Sequence, residues 1–258
     1  MRRPLVILGF LLVPLIAAGC GGDDEQEIPD NQQPFPTADL VSDTPATVPA
    51  STDAPAADGS DASGGTSAVG ATAAGCDDVA APEPKEDGGA TQPADTLDPA
   101  LTWTLAFDTS CGTFVITLDL VSAPETAASL VALAESGFYD GTVFHRIVPG
   151  FVIQGGDPTG TGNGGPGYQT VDPPSADAEY LHGVVAMAKA PDEATGTSGS
   201  QFFVVTGDDA GLPPDYAVVG VVTEGLDVVD LIGTLGDAAT EAPTQVVVIE
   251  SVTVESAP

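Results

Sequence analysis

The chain has 258 residues and a formal net charge of −33, with 38 acidic residues against 5 Lys and Arg. A surface of that sign repels phosphate, so nucleic acid and anionic lipid headgroups are poor partners. The acid excess fits either a plain solvated surface or one adapted to a salt-rich habitat.

The start reads "MRRPLVILGFLLVPLIAAGCGGDDE". Arg2 and Arg3 precede an apolar run from Leu5 to Ala18. That run is too short and too broken by Pro and Gly for a membrane span of about 20 apolar residues. A charged start, a short apolar stretch and small residues before a cut describe a secretory signal. Leu15 to Cys20 resembles the bacterial lipobox, in which cleavage precedes a cysteine that then carries the lipid. The resemblance implies a signal peptide over 1–19 and lipidation of Cys20. The mature protein would be extracytoplasmic, held to the bacterial cell membrane through its lipid anchor only, which takes more than one acyl chain to be stable. An ordinary signal with an accidental cysteine is the plain alternative.

Residues 20–96 are rich in Asp, Ala, Pro, Ser, Thr and Gly. The stretch "DTPATVPASTDAPAADGSDASGGTSAVGATAAG" has no aromatic residue and only Val48 and Val69 as larger aliphatics. Too little apolar surface is available there to offset the entropy of ordering. The expectation is a mostly disordered tether, spanning roughly 40 Å between Cys20 and Gly75, with 76–96 open to docking on the folded part.

From residue 97 to 258 the pattern is that of one folded domain. "LTWTLAFDT" and "GTFVITLDL" alternate around Ser110-Cys111-Gly112 and predict a hairpin. "APETAASLVALAESGF" predicts a helix, with Pro124 in the first turn and Gly137 past the end. Short β-type runs follow in "FVIQ", "GVVAMA", "FFVVT", "YAVVGVV" and "VVVIESVTV", interrupted by one later helix in "GLDVVDLIGTL". Many short strands, two helices and long glycine loops predict a mainly β protein, a closed antiparallel barrel capped by helices. Export allows disulfides to persist. With Cys20 acylated, Cys76 and Cys111 are the remaining pair, and a bridge between them is expected to dock "DDVAAPEPKEDGG" on the barrel. Two free thiols are the alternative.

"FHRIVPGFVIQGGDPTGTGNGGPGY", "GVVAMAKAPDEATGTSGSQFFVVT" and "LPPDYAVVGVV" resemble successive signature blocks of the cyclophilin family of peptidyl-prolyl cis-trans isomerases. The resemblance covers about residues 101–255. It implies an eight-stranded barrel with a helix over each opening, a catalytic arginine at Arg146, and a proline pocket built on Phe151, Val152, Phe203 and Leu212. Gln154, Gln201 and Lys189, beside Ala188, would hold the peptide backbone. Three positions depart from the family pattern. Val152 replaces a usual methionine, Gly211 replaces a tryptophan or phenylalanine and opens one rim, and Tyr216 stands where eukaryotic members carry histidine. The implied partners are proline-containing polypeptides, expected to be exported proteins, and a monomer is expected.

The chemistry asks for little more. An X–Pro bond has a rotation barrier of about 18–20 kcal/mol from amide resonance. Lowering it takes no cofactor, metal, nucleophile or proton shuttle. In the twisted transition state the imide nitrogen regains its lone pair, and a fixed donor aimed there binds the twisted form better than the planar ones. A planar, permanently charged guanidinium suits that task. The plain alternative for Arg146 is a structural ion pair, and for Phe203 a core position. His145 and His182 have no third ligand at metal-site spacing and read as structural. "GTGTGNGGPGY" lacks the Lys-Ser/Thr of a phosphate loop and reads as a surface loop on the substrate side. A binding module that holds proline segments with little turnover is the second functional reading.

Overall fold

The computed structural model describes residues 75–94 and 96–258. The signal segment, Cys20 and the tether up to residue 74 lie outside them. The elements, in chain order, are β1 (Thr102–Thr109), β2 (Gly112–Leu118), α1 (Pro124–Glu135), β3 (Thr142–Val143), β4 (Arg146–Val148) and β5 (Val152–Gly155). They continue with β6 (Thr170–Val171), β7 (Val184–Met187), β8 (Thr197–Ser198), β9 (Phe202–Val205), β10 (Val218–Glu224), α2 (Leu226–Gly233) and β11 (Val248–Ala257).

One antiparallel sheet of 9 strands runs in the order β3-β11-β1-β2-β10-β7-β9-β5-β4, and β6 pairs with β8 beside it. Its two terminal strands, β3 and β4, are separated in the chain only by Phe144 and His145. They are halves of one interrupted strand: the first pairs with β11 and the second with β5. Counted that way, the sheet closes on itself as the expected eight-stranded barrel.

Alternation along the strands sorts side chains between two clusters. Ile147, Ile153, Val185, Met187, Phe202 and Val204 enter the barrel core with Phe107, Phe114 and Phe144. Val152, Ala186, Phe203 and Val205 point the other way, into a smaller cluster on the outer wall. Inside, Phe107 stacks on Phe114 at 5.1 Å between centroids, and Phe202 sits edge-on to Phe144 at 6.1 Å. Both helices feed the same core, α1 through Leu130 and Leu133 and α2 through Val229 and Ile232.

Helix α1 starts with Pro at its first position and has no side-chain cap of its own. The buried Asp172 supplies one instead, accepting from Thr126 N and Thr126 Oγ1, both at 2.7 Å. That places an anion where unpaired amides and the helix dipole favour it. At the other end Gly137 takes φ 70°, and its carbonyl and that of Phe138 accept from Lys85 Nζ at 3.0 and 2.9 Å.

Lys85 belongs to the segment ahead of the barrel, which is docked. Cys76 and Cys111 are disulfide-bonded with Cα atoms 4.0 Å apart. Asp77 N donates to Ser110 O at 2.8 Å, and Gln245 Nε2 donates to the carbonyls of Cys76 and Asp77. Among the described residues no helix is long and apolar enough to cross a membrane.

Candidate active site

The break between β3 and β4 decides what faces outward. Strict alternation through "FHRIV" predicts Phe144 on the face of Arg146, with His145 and Ile147 opposite. The structure corrects this. Phe144 and Ile147 are both fully buried in the barrel core, because the Phe144-His145 break between β3 and β4 resets the alternation, much as a bulge does. Gly155 accommodates the ring: a Cβ there would meet Phe144 at 3.1 Å.

Beyond the break, cross-strand register builds a polar-to-apolar row on the outer wall. Arg146 lies opposite Gln154, Gln154 opposite Phe203, and Phe203 opposite Ala186. Directly opposed residues share a face. Arg146 Nη1 donates to Gln154 Oε1 at 3.3 Å, Gln154 Nε2 to Gln201 Oε1 at 3.0 Å, and Gln201 Nε2 to Gly164 O at 2.9 Å. A guanidinium therefore begins a chain of oriented amides that ends on the glycine loop.

Beside this row lies the apolar cluster. Phe203, only 5% exposed, and Val152, Tyr180 and Val205 form its floor. Phe151, Ala188, Leu212 and Tyr216 are half-buried around it. Phe203 meets Tyr216 edge-on at 5.6 Å between centroids. Tyr216 is in turn pinned by Tyr180, whose hydroxyl donates to Tyr216 O at 2.8 Å and accepts from Tyr216 N at 3.0 Å. Burial raises the Tyr180 hydroxyl pKa against the opposing backbone hydrogen bonds, so it stays protonated and able to donate. Gly211 takes φ 61°, with nothing within 4 Å of where a Cβ would stand, so this rim is open.

A groove of about 750 Å3 adjoins the cluster rather than covering it. It shares Gln154, Gln201 and Ala188 with the site and is walled by Gly162–Gln169 and by Lys189–Pro191. The glycine loop is tied down by Asp157, a fully buried carboxylate that accepts from Thr159 N and Oγ1 at 2.7 and 2.9 Å and from Gly162 N. Burial pushes the Asp157 pKa up, but the hydrogen bonds from Thr159, Gly164 and Gly162 outweigh it and hold the carboxyl below its ordinary value.

Lys189 stands differently from the family-based expectation. Its side chain is 2% exposed, and Nζ meets Asp215 Oδ2 at 2.7 Å, Glu193 O at 3.1 Å and Ala190 O at 3.3 Å. An ammonium has three donors, and these acceptors use them. The side chain is a strut for the groove wall, not a free ligand for a peptide.

Glu241 was not legible as a site residue. Its Oε2 accepts from Arg146 Nε at 2.7 Å, from 95 positions away. It is the non-glycine residue of positive φ among those described, at 59°, held by Glu241 N donating to Asp237 O at 2.7 Å and Ile147 N donating to Glu241 O at 2.9 Å. Nothing in the polar stretch "GDAATEAPTQ" marks one acid over another. His145 packs behind the site with both ring nitrogens buried and unpartnered among the described residues. His182 instead pairs with Asp230 at 2.7 Å. Among the described residues no three His, Cys, Asp or Glu side chains gather as a metal site.

Fold and site together define a wall-mounted apolar pocket with one oriented guanidinium at its edge. Comparison with known proteins agrees. Residues 104–254 match the family model described as cyclophilin type peptidyl-prolyl cis-trans isomerase/CLD. The probable peptidyl-prolyl cis-trans isomerase A of Mycobacterium leprae is 41% identical over 172 residues, 58% of this chain and 91% of that protein. Peptidyl-prolyl cis-trans isomerase-like 1 of Mus musculus is 38% identical over 159 residues, 60% of this chain and 92% of that protein. A crystal structure of a cyclophilin type isomerase from Cryptosporidium parvum, in the presence of the dipeptide Ala-Pro, aligns with TM-score 0.54 at 28% identity, covering 60% of this chain and 99% of that one. The chain belongs to the cyclophilin-type peptidyl-prolyl cis-trans isomerase family, and it is an isomerase enzyme.

Proposed function

We propose that this chain isomerises X–Pro bonds in exported polypeptides while anchored by a lipid on Cys20 to the outside of the bacterial cell membrane. The observation that carries the catalytic part is the row Arg146–Gln154–Phe203 across three strands. It sets a permanent donor beside an apolar floor. In this reading the proline ring rests on Phe203, Val152, Phe151 and Leu212, with Tyr216 at the rim. Gln154 and Gln201 take the backbone that runs on into the groove. Arg146 gives Nε–H to Glu241 and one Nη1–H to Gln154, which fixes the plane of the fork and leaves other N–H groups for the imide nitrogen.

The magnitudes divide the work. A charge-assisted hydrogen bond nets roughly 1.5–3 kcal/mol, and each decade in rate needs about 1.4 kcal/mol. Arg146 thus supplies one to two decades. The remainder comes from removing water from the imide and from clamping the ring, so that binding favours the twisted bond.

The location rests on the lipobox-like Leu15–Cys20 and on the Cys76–Cys111 bridge, which suits an oxidising compartment. Two experiments test the whole. Purified protein is expected to accelerate cis-trans exchange of a short Ala-Pro peptide; binding without acceleration would favour the holding module. Cys20→Ser is expected to leave the membrane fraction or to stay uncleaved, and full membrane retention of a correctly cleaved Cys20→Ser protein would contradict lipidation.

A further inference from the structure

The docked segment ahead of the barrel ends against the groove, and its contacts are too specific for a passive linker. Lys85 N donates to Pro158 O at 2.8 Å, Gly88 N to Gly165 O at 2.9 Å and Ala90 N to Pro166 O at 3.0 Å. In return Gly165 N donates to Asp87 Oδ1 at 2.8 Å. The two backbones touch: a Cβ on Gly167 would lie 3.1 Å from both Gly88 Cα and Gly89 N. Glycine on each side is what lets them approach so closely. The far side of the same Gly162–Gln169 loop is the groove wall, and Gly164 O accepts from Gln201.

The segment is fixed at three points. Cys76 is bonded to Cys111 in the β1–β2 turn. Lys85 is seated on the carbonyls that follow α1. Ala90 and Leu97 pack on the barrel core. The family match begins only at residue 104, so this strap is an addition to the catalytic domain.

We infer that residues 85–90 are a built-in clamp that sets substrate preference: by bonding the outer side of the Gly162–Gln169 loop, Asp87, Gly88 and Ala90 act as positioning residues for the groove that receives the polypeptide flanking the proline. A glycine-rich loop loses much conformational freedom when ordered. Holding it in place beforehand removes that cost from substrate binding. The floor residues Val152, Ala186, Phe203 and Val205 stand on β5, β7 and β9, and the strap bonds none of them. The clamp therefore acts on extended substrates and spares minimal ones.

This inference rests on the isomerase reading, and the test separates the two. The full mature chain is compared with Asp87→Ala, and with Asp87→Ala combined with Cys76→Ser, which removes both the side-chain bond to the loop and the covalent tie at the start of the strap. Kinetics are measured on a short Ala-Pro peptide and on one extended by several residues on each side. Hydrogen exchange of the 162–169 amides is followed in parallel. The expected result is a KM for the extended peptide raised by about three- to tenfold, on the scale of one or two lost hydrogen bonds. Turnover of the short peptide stays within twofold, and loop exchange becomes faster. Unchanged loop exchange, or an equal change on both peptides, overturns the clamp. Activity of the unaltered chain on the short peptide reports the isomerase reading alone, while loop exchange reports the clamp whether or not turnover is seen.

Discussion

Lys85, Lys189 and Arg146 are the cations among the described residues, and where each is held decides what it can do. Lys85 closes the end of α1, and Lys189 is spent on Asp215 and two carbonyls. Arg146 stands beside the apolar pocket with its fork oriented from two sides, by Glu241 and Gln154. Glu241 matters through that orientation. Both partners of the pair are substantially exposed, at 33% and 46%, so solvent screens the charge and the interaction is worth about 0.2–1 kcal/mol. Glu241→Ala should therefore lower kcat/KM by about two- to fivefold. Glu241→Gln keeps an acceptor for Arg146 Nε–H and should recover most of it. Equal losses in the two variants would mean that charge, not geometry, is what Glu241 supplies. The residue types at the site were readable because "FHRIVPGFVIQGGDP" is so specific a string. Glu241 was not, because its role comes from a fold contact and a φ of 59° that no local pattern announces.

Strand β9 shows what alternation can tell. Phe202 enters the core and Phe203 the pocket floor, as a period of two requires. The interrupted β3–β4 strand shows where it fails. A two-residue break suffices to move Phe144 to the inside, and a slip of one residue exchanges the faces of a whole strand. The same break tucks His145 behind the site. Its pKa lies below the ordinary 6.5, chiefly through burial, with Asp157 raising it and Arg146 lowering it. The unfolded chain then takes up a proton at a pH where the folded one does not. The neutral ring's contribution to stability is complete above about pH 6.5 and declines as pH falls through the folded-state value. Thermal unfolding between pH 7.5 and 5 should show a falling midpoint, with a shallower fall in His145→Gln. An identical slope in the variant would place the pH dependence elsewhere.

At the scale of the described molecule, the nine-stranded sheet curls round so that its two end strands, β3 and β4, are neighbours in the chain, and β6 and β8 form a separate two-stranded sheet beside it. The barrel was legible from strand spacing, and α1 from Pro124, Gly137 and its apolar periodicity. Counting cysteines singled out Cys76 and Cys111, which the structure joins. The path of residues 77–94 over the glycine loop was not legible, because it is fixed by contacts with residues far away in the sequence, which no local pattern announces. The bridge closes a separation of 35 residues, for which chain entropy gives about 3–4 kcal/mol. Cys111→Ser should lower the free energy of unfolding in urea by up to that amount, with the barrel's circular dichroism unchanged. A midpoint that does not move would show the strap contributing nothing to the stability of the barrel.

Arg146 is the residue on which the proposed catalysis depends. The direct measurement is kcat/KM for cis-trans exchange of a short Ala-Pro peptide by Arg146→Lys and Arg146→Ala, with folding checked by circular dichroism. Lysine keeps the charge but loses the planar fork held between Glu241 and Gln154, so a fall of about one to two decades is expected, and alanine should fall at least as far. Exchange within twofold of the unaltered chain in folded Arg146→Ala would make the arginine structural and the mechanism wrong.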